Sequence, residues 1–303
     1  MLVKDRYFKG RNQPKGEIGI EIEIEGRRLH TAGIPDIWSV THDGSLRGEE
    51  NLELVLKQPI PRGMVAKALN EIDAHFDENN AIIIPSVRTG VHIHVNVQEL
   101  TMEQAFIFQL MWLLFETPMV SYCGEDRTGN LFCLRSSDAE TIIDKLHEAV
   151  RKNDFKTLYT DELRYGAMNP KALCEYGSLE FRCLKTPNRA IEIHQWVQLL
   201  LKLKDYALHL KNPQELISRI SLEGADAIAD EVFGELLPIL VVEDWTEVLY
   251  DSLRRIQPIV FARDWEASAE LDGILFKAEL PQDVHEAKRK GALTAREVVD
   301  YAA

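Results

Sequence analysis

Residues 17–29 read EIGIEIEIEGRRL. Ile18, Ile20, Ile22 and Ile24 alternate with Glu17, Glu21, Glu23 and Glu25, and a period of two over this length predicts one β-strand. One face is apolar. The other, interrupted by Gly19, is a row of carboxylates about 6.5–7 Å apart along the strand. A solvated strand face ordinarily mixes Lys, Thr and Ser, because like charges repel. A row of acids needs either open water, as on a charged edge strand, or a counter-charge held over the sheet.

Three more segments have the same character. In NLELVLK, Leu52, Leu54 and Leu56 point one way and Glu53 the other. In GVHIHVN, Val91, Ile93 and Val95 oppose His92 and His94. In GSLEFRCL, Leu179, Phe181 and Cys183 oppose Glu180 and Arg182. If the four strands are neighbours, one polar face gathers Glu21, Glu23, Glu53, Glu180, both histidines and Arg182. Arg182 supplies one counter-charge. A divalent cation taking oxygen and imidazole ligands supplies a better one. Each motif alone also has a plain structural reading: a charged edge for EIEIE, a pair of partly exposed histidines for HxH, a cross-strand ion pair for ExR. Their recurrence on four strands favours a site.

The rest of the chain organises around these strands. Further strands are expected at 37–41 and 164–168. Helices are expected at 62–79, with Val65, Leu69, Ile72 and Phe76 on one stripe, at 101–116 behind a Thr101–Gln104 capping box and ending before Pro118, at 138–152 behind a Ser137–Glu140 box, and at 189–210. Beyond Pro213 the pattern is helical, at 213–221, 225–237, 243–256 and 294–302. The expected class is α+β: an antiparallel sheet with helices on one face, then a helical C-terminal section. The expected division is a loose arm at 1–16, a main domain at 17–210 and the helical section at 211–303.

Composition narrows the partners. The chain has 303 residues, 45% of them hydrophobic, and a net charge of -14. That charge argues against general nucleic-acid or anionic-membrane binding, while a local arginine cluster still allows small anions. The N-terminal segment lacks the apolar run of a signal peptide. AFIFQLMWLLF is the most apolar stretch and is too short to span a membrane, so it reads as a buried helix. Cys123, Cys133, Cys174 and Cys183 show no CxxC spacing and read as reduced thiols packed in the core of a cytoplasmic protein.

In order, ExE, DGSL, an isolated strand glutamate, GxHxH and ExR resemble the glutamine synthetase-like carboxylate–amine ligases, and more narrowly the amidoligase family of phage and bacterial gene clusters. The matching stretches are GIEIEIEG, THDGSL, ENLELV, TGVHIHVN, DRTGNLFC, RYGAMN and GSLEFRCLKTPN, across roughly 17–200. The resemblance implies a curved antiparallel sheet whose carboxylates hold Mg²⁺ or Mn²⁺ ions against the phosphates of ATP. It implies phosphoryl transfer to a small-molecule or peptide carboxylate, and displacement of phosphate by an amine donor. Glu21 and Glu23 match the metal-binding ExE, Glu53 a later metal-binding glutamate, and Glu180 the metal ligand of ExR. His92 matches a histidine touching metal or phosphate, with His94 its partner. Arg182 matches a phosphate-binding arginine. Arg127 and Arg164 sit in family motifs, to bind phosphate or a substrate carboxylate. Asp43 and Ser45 lie on a loop at the funnel mouth, where DGS also reads as a simple turn. Gly90 lets backbone approach a ligand or merely begins its strand.

Two other readings stand beside the ligase. A phosphotransferase acting on a guanidino or other nitrogen acceptor shares this fold but relies on several arginines around the nucleotide. A non-catalytic nucleotide-binding scaffold would keep the polar face as a remnant. The helical C-terminal section is a candidate surface for a homo-oligomer or a docked carrier.

Overall fold

The computed structural model describes residues 1–9, 15–42 and 44–266. Its seven strands are β1 (Ile18–Arg27), β2 (Trp38–Thr41), β3 (Glu50–Leu56), β4 (Ile82–Ile83), β5 (Gly90–Asn96), β6 (Met168–Asn169) and β7 (Ser178–Lys185). They form one antiparallel sheet in the order β2-β3-β1-β5-β7-β6, with β4 pairing β1 beside the main path. Its helices are α1 (Val3–Tyr7), α2 (Val65–Glu78), α3 (Met102–Tyr122), α4 (Glu140–Lys152), α5 (Lys171–Tyr176), α6 (Ala190–His209), α7 (Pro213–Glu223), α8 (Ala225–Phe233) and α9 (Trp245–Val260). The fold is mixed α and β around an open sheet.

The alternation read from the sequence sets the layers. Ile18, Ile20, Ile22 and Ile24 of β1, the three leucines of β3, Val91, Ile93 and Val95 of β5, and Leu179, Phe181 and Cys183 of β7 are all buried. α2 and α6 close over β1, where Leu69, Ile72 and Ile193 meet Ile22 and Ile24. α3 covers β7: the Phe108 and Trp112 rings lie 5.7 and 4.9 Å from the Phe181 ring. Burying a side chain of this size contributes about 1.5–3 kcal/mol, so this layer fixes which way every strand faces. Leu216, Ile228, Leu249 and Ile256, from the helices beyond residue 211, lie in the same core as the strands.

Several elements differ from expectation for local reasons. α3 runs through Pro118 to Tyr122. Proline costs a helix interior about 3 kcal/mol, but Met119 and Val120 beyond it are fully buried, and their burial offsets that cost. By length and composition α3 could cross a membrane, yet 83% of its most apolar window is buried in the fold, as a core helix. Its Thr101–Gln104 capping box forms as read. The Ser137–Glu140 box does not: α4 starts after Ala139 with no side-chain cap, and just before it Asp138 pairs with Arg135 at 2.9 Å. The strand expected at 164–168 is a 3₁₀ turn over Asp161–Tyr165 followed by the two-residue β6, which stops at Pro170. At the start of the expected arm, Leu2 bridges to Thr101, and Val3 and Phe8 enter the core. The helix expected at 294–302 lies outside the described residues.

Candidate functional site

The strand register converts the four polar faces into one surface. Glu21 stands opposite His92, Glu23 opposite Glu53, and His94 opposite Glu180. Between β5 and β7 the register shifts: Val91 faces Leu184 while Ile93 faces Phe181. β7 thus carries one extra residue opposite His92, a bulge that re-aims the side chains beside it. There Arg182 Nη1 donates to Glu180 Oε1 at 2.6 Å, and its backbone N–H reaches Ala167 O.

His92 sits between three carboxylates. Its Nδ1 lies 3.1 Å from Glu21 and 3.6 Å from Glu180, and its Nε2 lies 3.7 Å from Glu23. His94 Nε2 lies 3.3 Å from Glu21 Oε1, and its Nδ1 meets Ser178 Oγ at 3.1 Å. Glu23, His92 and Glu180 are buried. Burial alone would raise the Glu21 carboxyl, but hydrogen bonds from His92 and His94 outweigh it and hold the group well below the usual carboxylate range. Burial pushes the His94 imidazole down. The bond to Glu21 and the charge of Glu180 more than reverse this, so it binds its proton more tightly than a free histidine.

Glu21, His94 and Glu180 each offer a ligand atom, and the three atoms lie within 4.8 Å of one another. Octahedral Mg²⁺ with oxygen ligands at about 2.1 Å spaces neighbouring ligands roughly 3 Å apart and opposite ones roughly 4.2 Å. The two carboxylates and one imidazole could hold a divalent ion once His94 gives up its proton and the ligand atoms draw closer. Glu53 lies outside this group. Its carboxylate accepts a short hydrogen bond from Thr41 Oγ1, and it faces Glu23 across the β1–β3 pair. Like charges directly opposite destabilise a sheet, so the pair forms a second acidic position one step along the face.

The other expected residues are spread around this centre. Arg127 is buried, donates to Thr89 O, and has Nε without a hydrogen-bond partner. A Cβ built on Gly90 would lie 3.5 Å from Glu23 Oε2 and 3.7 Å from Arg127 Nη2, so Gly90 leaves a gap between the two. Arg182 Nε is likewise buried and unpartnered. Arg164 is exposed and stacks over Tyr165, 5.7 Å from the ring centre, away from the cluster. Ser45 lies half-buried in the turn after β2. Asp43 lies outside the described residues.

Sequence reasoning missed four groups. Asn169 Nδ2 holds Glu180 Oε2 at 2.7 Å; its place within RYGAMN was the available signal. Ser178 orients His94. Tyr176 lies edge-on to His94 at 5.8 Å. It also lines a cavity of about 470 Å³ that opens beside the cluster, with Phe8, Gly19, Glu21, His94 and Gln98. No periodicity could have joined Phe8 to Tyr176. Glu25 is buried and accepts the Arg47 N–H at 2.6 Å, so it ties down the loop before β3.

The chain matches no family model and no curated protein.

Proposed function

We propose that the chain is an ATP-dependent carboxylate–amine ligase built on a glutamine synthetase-like sheet and working with Mg²⁺ or Mn²⁺. The observation that carries this reading is the convergence of Glu21, His94 and Glu180 to within 4.8 Å beside an arginine with an unpartnered buried N–H. An acidic centre next to a guanidinium that pairs with Glu180 and keeps one N–H unpartnered supports a triphosphate held through cations. Glu21, His94 and Glu180 would hold one ion, and Glu23 with Glu53 offers a second acidic position. When bound, the ions neutralise charge on the triphosphate and on the transferring group.

The chain's own residues do the rest. The cavity edged by Phe8 and Tyr176 has the size of a nucleoside site, so the adenosine lies there and the phosphates run along the sheet toward Arg182. Arg182 donates to the γ-phosphoryl oxygens as the bond to ADP breaks and a bond to the substrate carboxylate forms, giving an acyl phosphate. Arg127, whose Nη2 lies beside Gly90, orients that carboxylate. An amine then attacks the acyl carbon, phosphate leaves, and the amine's proton passes to solvent.

The test is product analysis with Mg-ATP and a panel of acids and amines. The ligase reading requires ADP, inorganic phosphate and an amide in equal amounts. ADP with a stable phosphoramidate would move the chain to the nitrogen phosphotransferases. Absence of Mg-ATP binding would leave only the scaffold.

A further inference from the structure

The row of glutamates on β1 is broken once, at Gly19. Its φ lies outside the left-handed region, so the backbone does not demand glycine there. Space does. A Cβ built on Gly19 would lie 3.2 Å from the His94 Cβ, and Gly19 lines the cavity beside the acidic centre. Any side chain here would press on His94 and fill the cavity floor.

The strand on the other side of Gly19 is irregular too. Glu21 stands opposite Val55, but Ile18 bridges to Ile60. Between those pairs β1 runs from 21 to 18 while its neighbour runs from 55 to 60, so the neighbour carries two extra residues. They bulge at Lys57, Gln58 and Pro59, all of which line the cavity. A bulge re-aims the side chains it carries. This one is fixed on both sides. A side chain at Gly16 would collide with the Pro59 carbonyl, and Asn96 Nδ2 holds Gly16 O at 2.9 Å. The Lys57 N–H donates to Ile37 O at 3.0 Å.

The charges around the cavity leave one cation over. Lys57 is exposed, is the one lysine or arginine among the described residues lining the cavity, and forms no ion pair with a described residue. The acids of the lining are already engaged. Glu17 holds Arg62 and Lys204, each at 2.7 Å. Glu21 holds His92 at 3.1 Å and His94 at 3.3 Å. Glu175 hydrogen-bonds Tyr176, which lies against His94 on the opposite side of Gly19 from the bulge. Whatever crosses Gly19 toward the acidic centre therefore passes between His94 and a lysine without a counter-charge.

We propose that Lys57 is a phosphate-binding residue: the nucleotide's α-phosphate lies over Gly19, and the Lys57 ammonium donates to it from the bulge. This rests on the ligase reading and deepens it, by assigning the residue that ties the nucleoside end of the ligand to its phosphates. Lysine suits the task as a point charge on a flexible stem, able to follow a phosphate without a fixed fork. Gly19 supplies the room, and the β- and γ-phosphates continue to the acidic centre.

The test is calorimetry of Mg-ATP at low and high salt on the full chain, on Lys57→Gln and Lys57→Arg, and on Lys67→Gln, which alters an exposed lysine of α2 outside the cavity. Adenosine is titrated as a competitor. The proposal expects Lys57→Gln to bind Mg-ATP at least about tenfold more weakly, as loss of one charged hydrogen bond does, with the gap narrowing at high salt. Lys57→Arg should recover most of the loss, and Lys67→Gln should lose nothing. Adenosine, which has no phosphate, should bind the Lys57→Gln variant as well as the unaltered chain. Unchanged Mg-ATP affinity in Lys57→Gln, or an equal loss for adenosine, would overturn the phosphate contact and spare the ligase reading. Absence of Mg-ATP binding by the unaltered chain would overturn that reading itself, and this contact with it.

Discussion

The polar face of the sheet has two ends, and they are lined by different chemistry. Around the start of β1 lies a partly open cavity of about 470 Å³, edged by Phe8 and Tyr176 and touching the acidic centre through Glu21 and His94. Toward the end of β1, beside Gly90, the buried Arg127 lies close to Glu23, with no cavity comparable to the one at the other end among the described residues. The midpoint between them holds Glu21, His92, His94, Glu180 and Arg182. One sheet face thus carries a partly apolar cavity and an acidic, histidine-bearing centre side by side. Under the proposed ligase reading, the nucleoside and the acid are bound by different residues, so each can be weakened without the other.

The largest expected effect lies at the midpoint, where both ends depend on the same groups. Glu21→Gln or Glu180→Gln should lower amine-dependent phosphate release by at least about 10²-fold, since changes even one shell outside a metal's ligands cost 10–100-fold. Arg182→Lys should lower it by roughly 10²-fold with an unchanged melting temperature, because a planar fork and a point charge are not equivalent toward phosphate. Wild-type rates for the Lys variant would reduce Arg182 to a partner of Glu180.

The next pair separates the two ends. Arg127→Lys should raise KM for the acid about tenfold or more while leaving the affinity for Mg-ATP intact. Tyr176→Ala should do the reverse, weakening Mg-ATP binding by about tenfold, the scale of one stacking contact, with the acid KM unchanged. Steady-state kinetics and calorimetry on both variants check this. If each substitution moved both constants equally, the ends would not be distinct.

The smallest effect concerns the outer glutamates of β1, which serve structure at both ends. Hydrogen bonding to Arg62, then to Lys204, overcomes partial burial and holds the Glu17 carboxyl down to about 2, against an ordinary 4.5. A lowered folded-state value means the carboxylate stabilises the fold above about 4.5, and that this contribution is lost as pH falls toward 2. Glu17→Gln should therefore melt a few degrees lower at pH 7 and converge with the unaltered chain in acid. Turnover at 25 °C should fall far less than for Glu21→Gln, even though Glu17 lines the cavity. A constant difference at every pH would assign the effect to packing.

What the sequence made legible was whatever a period of two can carry. β1, β3, β5 and β7 fall within a residue or two of their expected bounds, and Glu21, Glu23, Glu53, His92, His94, Glu180 and Arg182 share one face because alternation leaves them no other. What stayed hidden depends on register and on long-range packing. The bulge beside Arg182 leaves no mark on the local pattern. Nothing in the alternating row shows that Glu17 is tied to Arg62 and Lys204 or that Glu25 is tied to the loop at Arg47. Arg127 owes its place to a loop clamped by Glu116, whose carboxyl is pushed up by burial despite its bonds to Ser136. The cavity joins Phe8 to Tyr176 across most of the chain.

The central claim is that the acidic midpoint receives a nucleotide only through cations. Calorimetric titration of ATP into the full chain, once with Mg²⁺ and once with EDTA, tests it directly. Burying Glu23, His92 and Glu180 around an anionic triphosphate with no ion between them is electrostatically unfavourable. Binding should be clear with Mg²⁺, be restored by Mn²⁺, and weaken at least a hundredfold in EDTA. Equal affinity with and without the cation would contradict the account.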